Sequence, residues 1–308
     1  MSGSTLPTMC NAWIFLNEDD PMGPNGYATT TYPDPNGAYQ RLIAKGVYEH
    51  VDMLFICFAA LVPTSDMTTP KGDGEGFTIQ MGEATHPSQD QYKTNGYPVR
   101  YSNQNYLNWV IRDARAANPN IKILMTLQYG RGTDISSVFL PEGRTDQENA
   151  EDFAANLLTY LRAYDLDGFD IDWESPLSDD TTTGQMATYL DAIGTLFAKQ
   201  TDKKYWLTIS PATAGNLDAT AMNAHVDFLN LQLYSGFTFE SDFTGIGIDK
   251  ELLAYGAKFE STVQTAQSAF SGYQSGGYKI ATMWRLNSGN FEYEQDNQIA
   301  LYNLVHGA

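Results

Sequence analysis

Short, nearly continuous apolar runs alternate along the chain with segments whose apolar residues recur every three or four positions. The first kind reads as strands buried on both faces, the second as amphipathic helices laid over them. The runs Ala12–Leu16, Asp52–Ala60, Ile121–Leu127, Gly168–Trp173, Tyr205–Ile209, Phe228–Tyr234, Leu252–Phe259 and Ile280–Leu286 predict eight strands. Helices are predicted over Tyr106–Ala117, Asn149–Tyr164, Gln185–Gln200 and Thr262–Phe270. Asp146 and Glu148, just before Ala150, put negative charge at the positive end of a helix dipole, and Asn118-Pro119-Asn120 stops the chain ahead of the third strand. Strand and helix in alternation make a parallel sheet, and eight strands close it. The fold class is therefore α/β: a single (β/α)8 TIM barrel over residues 1–308, without internal repeat or linker.

One stretch interrupts the alternation. Pro63 to Asn103 is irregular and rich in Gly, Pro, Ser and Thr, with Phe77–Met81 as a small hairpin inside it. Following strand two, this long loop falls on the C-terminal face of a barrel, where ligands bind, either as a cleft wall or as decoration.

Composition narrows the choice of partner. With 18 Lys+Arg against 37 Asp+Glu, the net charge of -19 repels nucleic-acid phosphates and anionic membranes, so a neutral substrate is expected. The longest apolar run, Met53 to Val62, is too short to span a bilayer. The first residues, Met1-Ser2-Gly3-Ser4-Thr5, do not read as a signal peptide, although secretion is the expectation. Cys10 and Cys57 read as buried thiols on the first two strands, with a bridge between neighbouring strands left open. His50, His86, His225 and His306 are scattered without metal-ligand spacing; neither metal nor cofactor is expected, and the chain is read as a monomer.

The chemistry concentrates in Asp167-Gly168-Phe169-Asp170-Ile171-Asp172-Trp173-Glu174. Side chains alternate along a strand, so Asp170, Asp172 and Glu174 share one face, spaced about 6.6 Å apart, and Phe169, Ile171 and Trp173 share the other. The apolar face suits helices, which turns the acids into the barrel. Three converging carboxylates do nothing for stability, and in a desolvated site some must keep a proton at neutral pH. A proton held there can be given to a glycosidic oxygen. A solvated strand face would tolerate the charges, but Phe169, Ile171 and Trp173 opposite them imply burial. A calcium loop through Asp165, Asp167 and Asp170 is the other competing reading, but the glycine and final Glu fall at the wrong spacing for an EF-hand.

This segment resembles in full the DGxDxDxE signature of family 18 glycoside hydrolases, the chitinases and endo-β-N-acetylglucosaminidases, which carry it on the fourth barrel strand. Three weaker likenesses accompany it. Asn230-Leu231-Gln232-Leu233-Tyr234 resembles the Gln-x-Tyr variant of strand six, Leu207-Thr208-Ile209-Ser210-Pro211-Ala212 the strand-five segment, and Met283-Trp284 the tryptophan flooring the sugar site. Two positions depart: the family's Ser-x-Gly-Gly stands here as Thr126-Leu127-Gln128-Tyr129, and Ser235 follows Tyr234 where many members carry Asp or Asn.

The resemblance implies a retaining, substrate-assisted hydrolysis of β-1,4 linkages in N-acetylglucosamine glycans. Glu174 is then the general acid and later the base, Asp172 orients the substrate's acetamido group, and Asp170 shares a proton with Asp172. Tyr234 and Gln232 hold the acetamido group from the other side, and Trp284 faces the pyranose. Gln128 and Tyr129, at a strand end, join Asp167 as further substrate-binding candidates. The substrate is chitin-like or the chitobiose core of N-glycans; a non-catalytic sugar-binding barrel and a hydrolase for sugars without an acetamido group are the competing classes.

Overall fold

Parallel pairing runs without a break around the molecule. In the computed structural model, residues 6–16, 38–66, 75–81, 103–128, 135–174, 180–288 and 290–307 are described. Their strands are β1 Met9–Phe15, β2 Met53–Pro63, β3 Phe77–Met81, β4 Lys122–Leu127, β5 Gly168–Trp173, β6 Trp206–Pro211, β7 Phe228–Leu231, β8 Leu253–Lys258 and β9 Ile280–Trp284. The order β1-β9-β8-β7-β6-β5-β4-β2, closed by pairing of β1 with β2, leaves β3 outside the ring. Eight parallel strands make the (β/α)8 barrel expected from the apolar pattern.

The described helices are α1 Ala38–Ala44, α2 Asn103–Ala117, α3 Asp146–Ala163, α4 Thr183–Ala198, α5 Ala219–His225, α6 Glu240–Gly245, α7 Ala266–Gly276 and α8 Phe291–His306. Each of α3 and α4 starts on a capping box, Thr145 with Glu148 and Thr182 with Gln185, which satisfies otherwise orphaned N–H groups. The helix expected over Thr262–Phe270 starts later. Glu260–Thr262 is a 3-10 turn with Ser261 and Thr262 at positive φ, and Thr265 caps α7 by accepting from the Ser268 N–H.

Strand alternation divides the core into two shells. Phe169, Ile171 and Trp173 of β5 point outward into the layer shared with Phe153, Leu157 and Tyr189. Burial of each such side chain stabilises the fold by about 1.5–3 kcal/mol. The inward shell at the N-terminal end holds Met53, Leu124, Trp206 and Phe228, closing the barrel floor. Cys10 lies in the outer shell and Cys57 in the inner one, on opposite sides of the strand wall, and the two form no disulfide.

Two loops differ from the sequence expectation. Phe77–Met81 makes no hairpin of its own: as β3 it pairs antiparallel with Ala59–Pro63, which extends β2 past its expected end. Asn156 of α3 donates to the carbonyls of Glu75 and Phe77 and ties this ribbon to the barrel wall. Strand β7 stops at Leu231, short of the end expected at Tyr234, and Leu233–Ser235 forms a 3-10 turn, so strand alternation does not set where Gln232 and Tyr234 point.

Candidate active site

Residues pointing into the barrel change character from floor to mouth. Above the apolar floor come Asn11, Thr126, Asp170, Thr208, Asn230 and Thr282, all buried and polar. The next level opens into a cavity of about 620 Å³ that includes Asp172, Glu174, Gln232, Tyr234 and Trp284 in its lining. It lies at the C-terminal ends of the strands, where barrels of this type bind their ligands.

Asp170 is fully buried and receives hydrogen bonds from Thr208 Oγ1 at 2.5 Å and Ser210 Oγ at 3.0 Å. Burial pushes its carboxyl up to about 7, against the pull of those donors. Asp172 is also raised well above the carboxylate range, first by burial and then by the charges of Glu174 and Asp170. Gln232 Nε2 opposes that shift, donating to Asp172 Oδ1 at 3.0 Å and to the Ser210 carbonyl at 3.1 Å. Burial holds the Tyr234 phenol well above its ordinary value, with Asp172 and Glu174 adding to the shift, so it stays a neutral O–H donor. The site therefore carries transferable protons at neutral pH.

The opposite wall is aromatic. Trp284 meets Trp13 edge-on at 5.6 Å between centroids and lies nearly parallel to Phe58 at 6.2 Å. Its indole N–H donates to Glu260 Oε2 at 3.1 Å. Glu260 also binds Lys258 at 3.0 Å and Arg285 at 3.0 Å. Burial works against ionisation of Glu260, but the Lys258 hydrogen bond and the neighbouring cations hold it below the usual carboxylate range. Lys258 Nζ in turn stands 5.7 Å from the Tyr234 ring centroid.

Of the residues singled out in the sequence, Asp172, Glu174, Gln232, Tyr234, Trp284 and Gln128 line this one cavity, with Asp170 beneath it. Gln232 finds its partners in Asp172 and Ser210. Tyr129 lies outside the described residues. Asp167 belongs elsewhere. It precedes β5 at the barrel's other end, binding Arg115 at 3.0 Å, Lys203 at 3.4 Å and the Ile123 N–H at 2.9 Å. Seven residues of extended chain put it about 23 Å from Glu174, so it has no contact with the cavity.

The sequence profile of the family "Glycosyl hydrolases family 18" matches residues 26–287. The chain belongs to this family. A "Putative chitinase" of Pinctada maxima is 28% identical over 144 residues, 42% of this chain and 30% of that protein. An "Endochitinase" of Brugia malayi is 29% identical over 129 residues, 39% of this chain and 24% of that one. The chain thus spans under a third of the length of these curated relatives. Among solved structures, the class V chitinase of Nicotiana tobaccum superposes with TM-score 0.58 at 12% identity, over 96% of this chain and 99% of that one. Human YKL-39, described as a pseudo-chitinase with retained chitooligosaccharide binding, gives 0.59 at 12% identity, over 97% and 99%. These structural likenesses concern the family 18 fold.

Several residues of the family 18 cavity escape a reading by motif. Trp13, Phe58 and Lys258 line it from β1, β2 and β8. Their signal is weak: Lys258 is a single charge closing the apolar run from Leu253, and the aromatics sit in strands already rich in apolar residues.

Proposed function

We propose that this family 18 chain is a retaining glycoside hydrolase acting on β-1,4-linked N-acetylglucosamine glycans with assistance from the substrate's acetamido group. The observation that carries the reading is the carboxylate ladder of β5 rising into the cavity, its middle member held by Gln232. Glu174, at the mouth, gives its proton to the leaving oxygen. The acetamido oxygen attacks the anomeric carbon from the other face, and water, deprotonated by Glu174, later opens the cyclic intermediate with retention of configuration.

Asp172 accepts the acetamido N–H, which orients the nucleophilic oxygen and stabilises positive charge on the ring that forms. Its burial beside Glu174 and Asp170 favours one proton shared along the ladder over three separate charges. As the acetamido group becomes cationic, Asp172 does better ionised, and Asp170 at about 7 is suited to take up the proton. Tyr234 offers its phenol O–H to the acetamido oxygen, and Trp284 presents a flat apolar face to the pyranose. Gln128, at the end of β4, is a further substrate contact.

Chitin-type oligosaccharides are the leading substrate, supported by the chitinase names of the relatives. Cleavage of the chitobiose core of N-glycans is the alternative within the same chemistry, and sugar binding without turnover is the alternative outside it. Glu174→Gln should abolish release of reducing ends from chitin oligosaccharides while leaving oligosaccharide binding within a few-fold. Equal turnover by that variant ends the assignment. A parallel digestion of high-mannose and complex N-glycans separates the two substrate classes.

A further inference from the structure

A chain of buried side chains crosses the barrel interior and ends on Asp170. Asn11 of β1 donates through Nδ2 to Thr282 Oγ1 of β9 at 3.4 Å. Thr282 Oγ1 donates to Asn230 Oδ1 of β7 at 2.5 Å, and Asn230 Nδ2 donates to Ser210 Oγ of β6 at 3.1 Å. Ser210 Oγ then reaches both carboxylate oxygens of Asp170, at 3.0 and 3.2 Å.

We propose that Thr282 and Asn230 are positioning residues, which keep the Ser210 hydroxyl turned onto Asp170 through a one-way series of donors. Polarity follows from the two amides. An amide donates only from nitrogen and accepts only at oxygen. With Asn230 Oδ1 engaged by the Thr282 O–H, its nitrogen must serve Ser210. Ser210, having accepted, has its own hydrogen free for the carboxylate. At the far end Asn11 Oδ1 has no partner among the described residues, so the series begins there with a donor.

The fold makes room for this crossing at one position. Thr282 and Asn230 sit on strands separated by β8, whose inward residue at that level is Gly256, paired in register with Thr282. Without a side chain there, the hydroxyl and the amide meet across the strand. A Cβ at Gly256 would also fall 2.0 Å from the Leu231 carbonyl oxygen.

What the series acts on is the proton of Asp170. Donors to a carboxylate favour its ionised form, opposing burial. The groups facing Asp170 from β4 and β6 are neutral hydroxyls, Thr126, Thr208 and Ser210. The titratable ones nearby are Asp172 on β5, Glu174 just after it, Tyr234 after β7, Cys57 on β2 and Lys258 closing β8, with Glu260 beyond. The catalytic consequence rests on the hydrolase reading, since the Asp170–Asp172 pair is what exchanges a proton there.

The test follows Asp170 directly. Carboxyl-labelled aspartate NMR, with Asp170→Asn to assign the signal, gives its titration midpoint without any need for turnover. Thr282→Val frees Asn230 Oδ1 to draw the Ser210 hydroxyl away, and should raise the midpoint by about half a pH unit. Thr282→Ser keeps the hydroxyl and should leave the midpoint at its wild-type value. Thr282→Ala removes the same group and serves if the valine variant does not fold. An unmoved midpoint in a folded variant overturns the inference, even if melting temperature drops, because that is what simple packing would do. Absence of wild-type turnover on chitin oligosaccharides strikes instead at the hydrolase reading and leaves this measurement standing.

Discussion

Gln232 donates from Nε2 to Asp172 Oδ1 at 3.0 Å, joining the turn after β7 to the middle of the acidic ladder on β5. The same amide nitrogen reaches the Ser210 carbonyl at 3.1 Å, so its rotamer is fixed from two sides. A donor fixed in this way orients Asp172 in advance of a ligand, and pre-set geometry is where much of an enzyme's rate arises.

Replacing Gln232 should therefore cost turnover more than folding. Gln232→Leu removes a donor that holds Asp172 down, so its carboxyl moves further up and stays protonated when it should stabilise charge. A fall of about 10–100-fold in kcat/KM is expected, the range of one lost charge-assisted hydrogen bond. Gln232→Glu, which sets a fourth carboxyl against the ladder, should fall further. Steady-state kinetics on a chitin tetrasaccharide check both, and an unchanged rate in the leucine variant refutes the role given to this contact.

The buried Asp170 also predicts how stability depends on pH. Asp170 has an ordinary value of 3.8 and is raised to about 7 in the fold. Between those values the folded state binds more proton than the unfolded chain, so stability falls as pH rises through this window. The contribution is complete below the unfolded value and lost above the folded one, bounded at about 4 kcal/mol from 1.36 kcal/mol per unit. Asp170→Asn cannot ionise. Melting curves from pH 4 to 8 should show wild-type losing ground steadily to this variant; parallel curves would contradict the shift.

How far the sequence carried the reading depended on whether the signal was local. Alternation along residues 168–174 is a property of one strand, and it placed the acids correctly because a strand has no other way to aim them. The strand expected over Phe228–Tyr234 ends early, at Leu231, where the chain turns into a 3-10 segment, yet Gln232 and Tyr234 both still reach the cavity. The helix expected over Thr262–Phe270 starts late, because the residue that caps α7 is Thr265. Glu260 carries no signal in the sequence, because Trp284, Lys258 and Arg285 converge on it only through the closed barrel. The place of Asp167 within the family motif suggests a role at the cavity and hides that it faces the other end of the barrel.

Glu260 yields a prediction of its own. One carboxylate orients the indole of Trp284, pairs Lys258 and pairs the buried Arg285. Glu260→Ala leaves Arg285 without this ionic partner and the ring without its tether. About 2 kcal/mol of stability should be lost, the scale of a partly buried pair broken from one side. If Trp284 floors the sugar site, KM should rise several-fold while kcat changes less. Glu260→Gln retains an acceptor for the indole and should recover most of the KM effect without the stability. A kcat defect larger than the KM defect would place Glu260 closer to the chemistry than the structure does.

The first two residues of the acidic motif should behave unlike the last. Gly168 lies where a Cβ would come 2.3 Å from the Trp206 carbonyl oxygen, a backbone atom that cannot yield without parting β5 from β6. Overpacking of a close-packed core costs about 1–3 kcal/mol, and more where the backbone itself must move. Asp167 anchors Arg115, Lys203 and the Ile123 N–H at the N-terminal end of the barrel, and its loss leaves those groups short of an acceptor. Gly168→Ala and Asp167→Ala should therefore lower the melting temperature sharply, while whatever fraction remains folded, measured by active-site titration with a thiazoline inhibitor, turns over at close to the wild-type rate. Glu174→Gln should do the reverse, melting normally and turning over nothing. A variant of Asp167 with normal stability and a collapsed rate per folded molecule would mean that the acid acts on the cavity after all, by a route the distance between them does not provide.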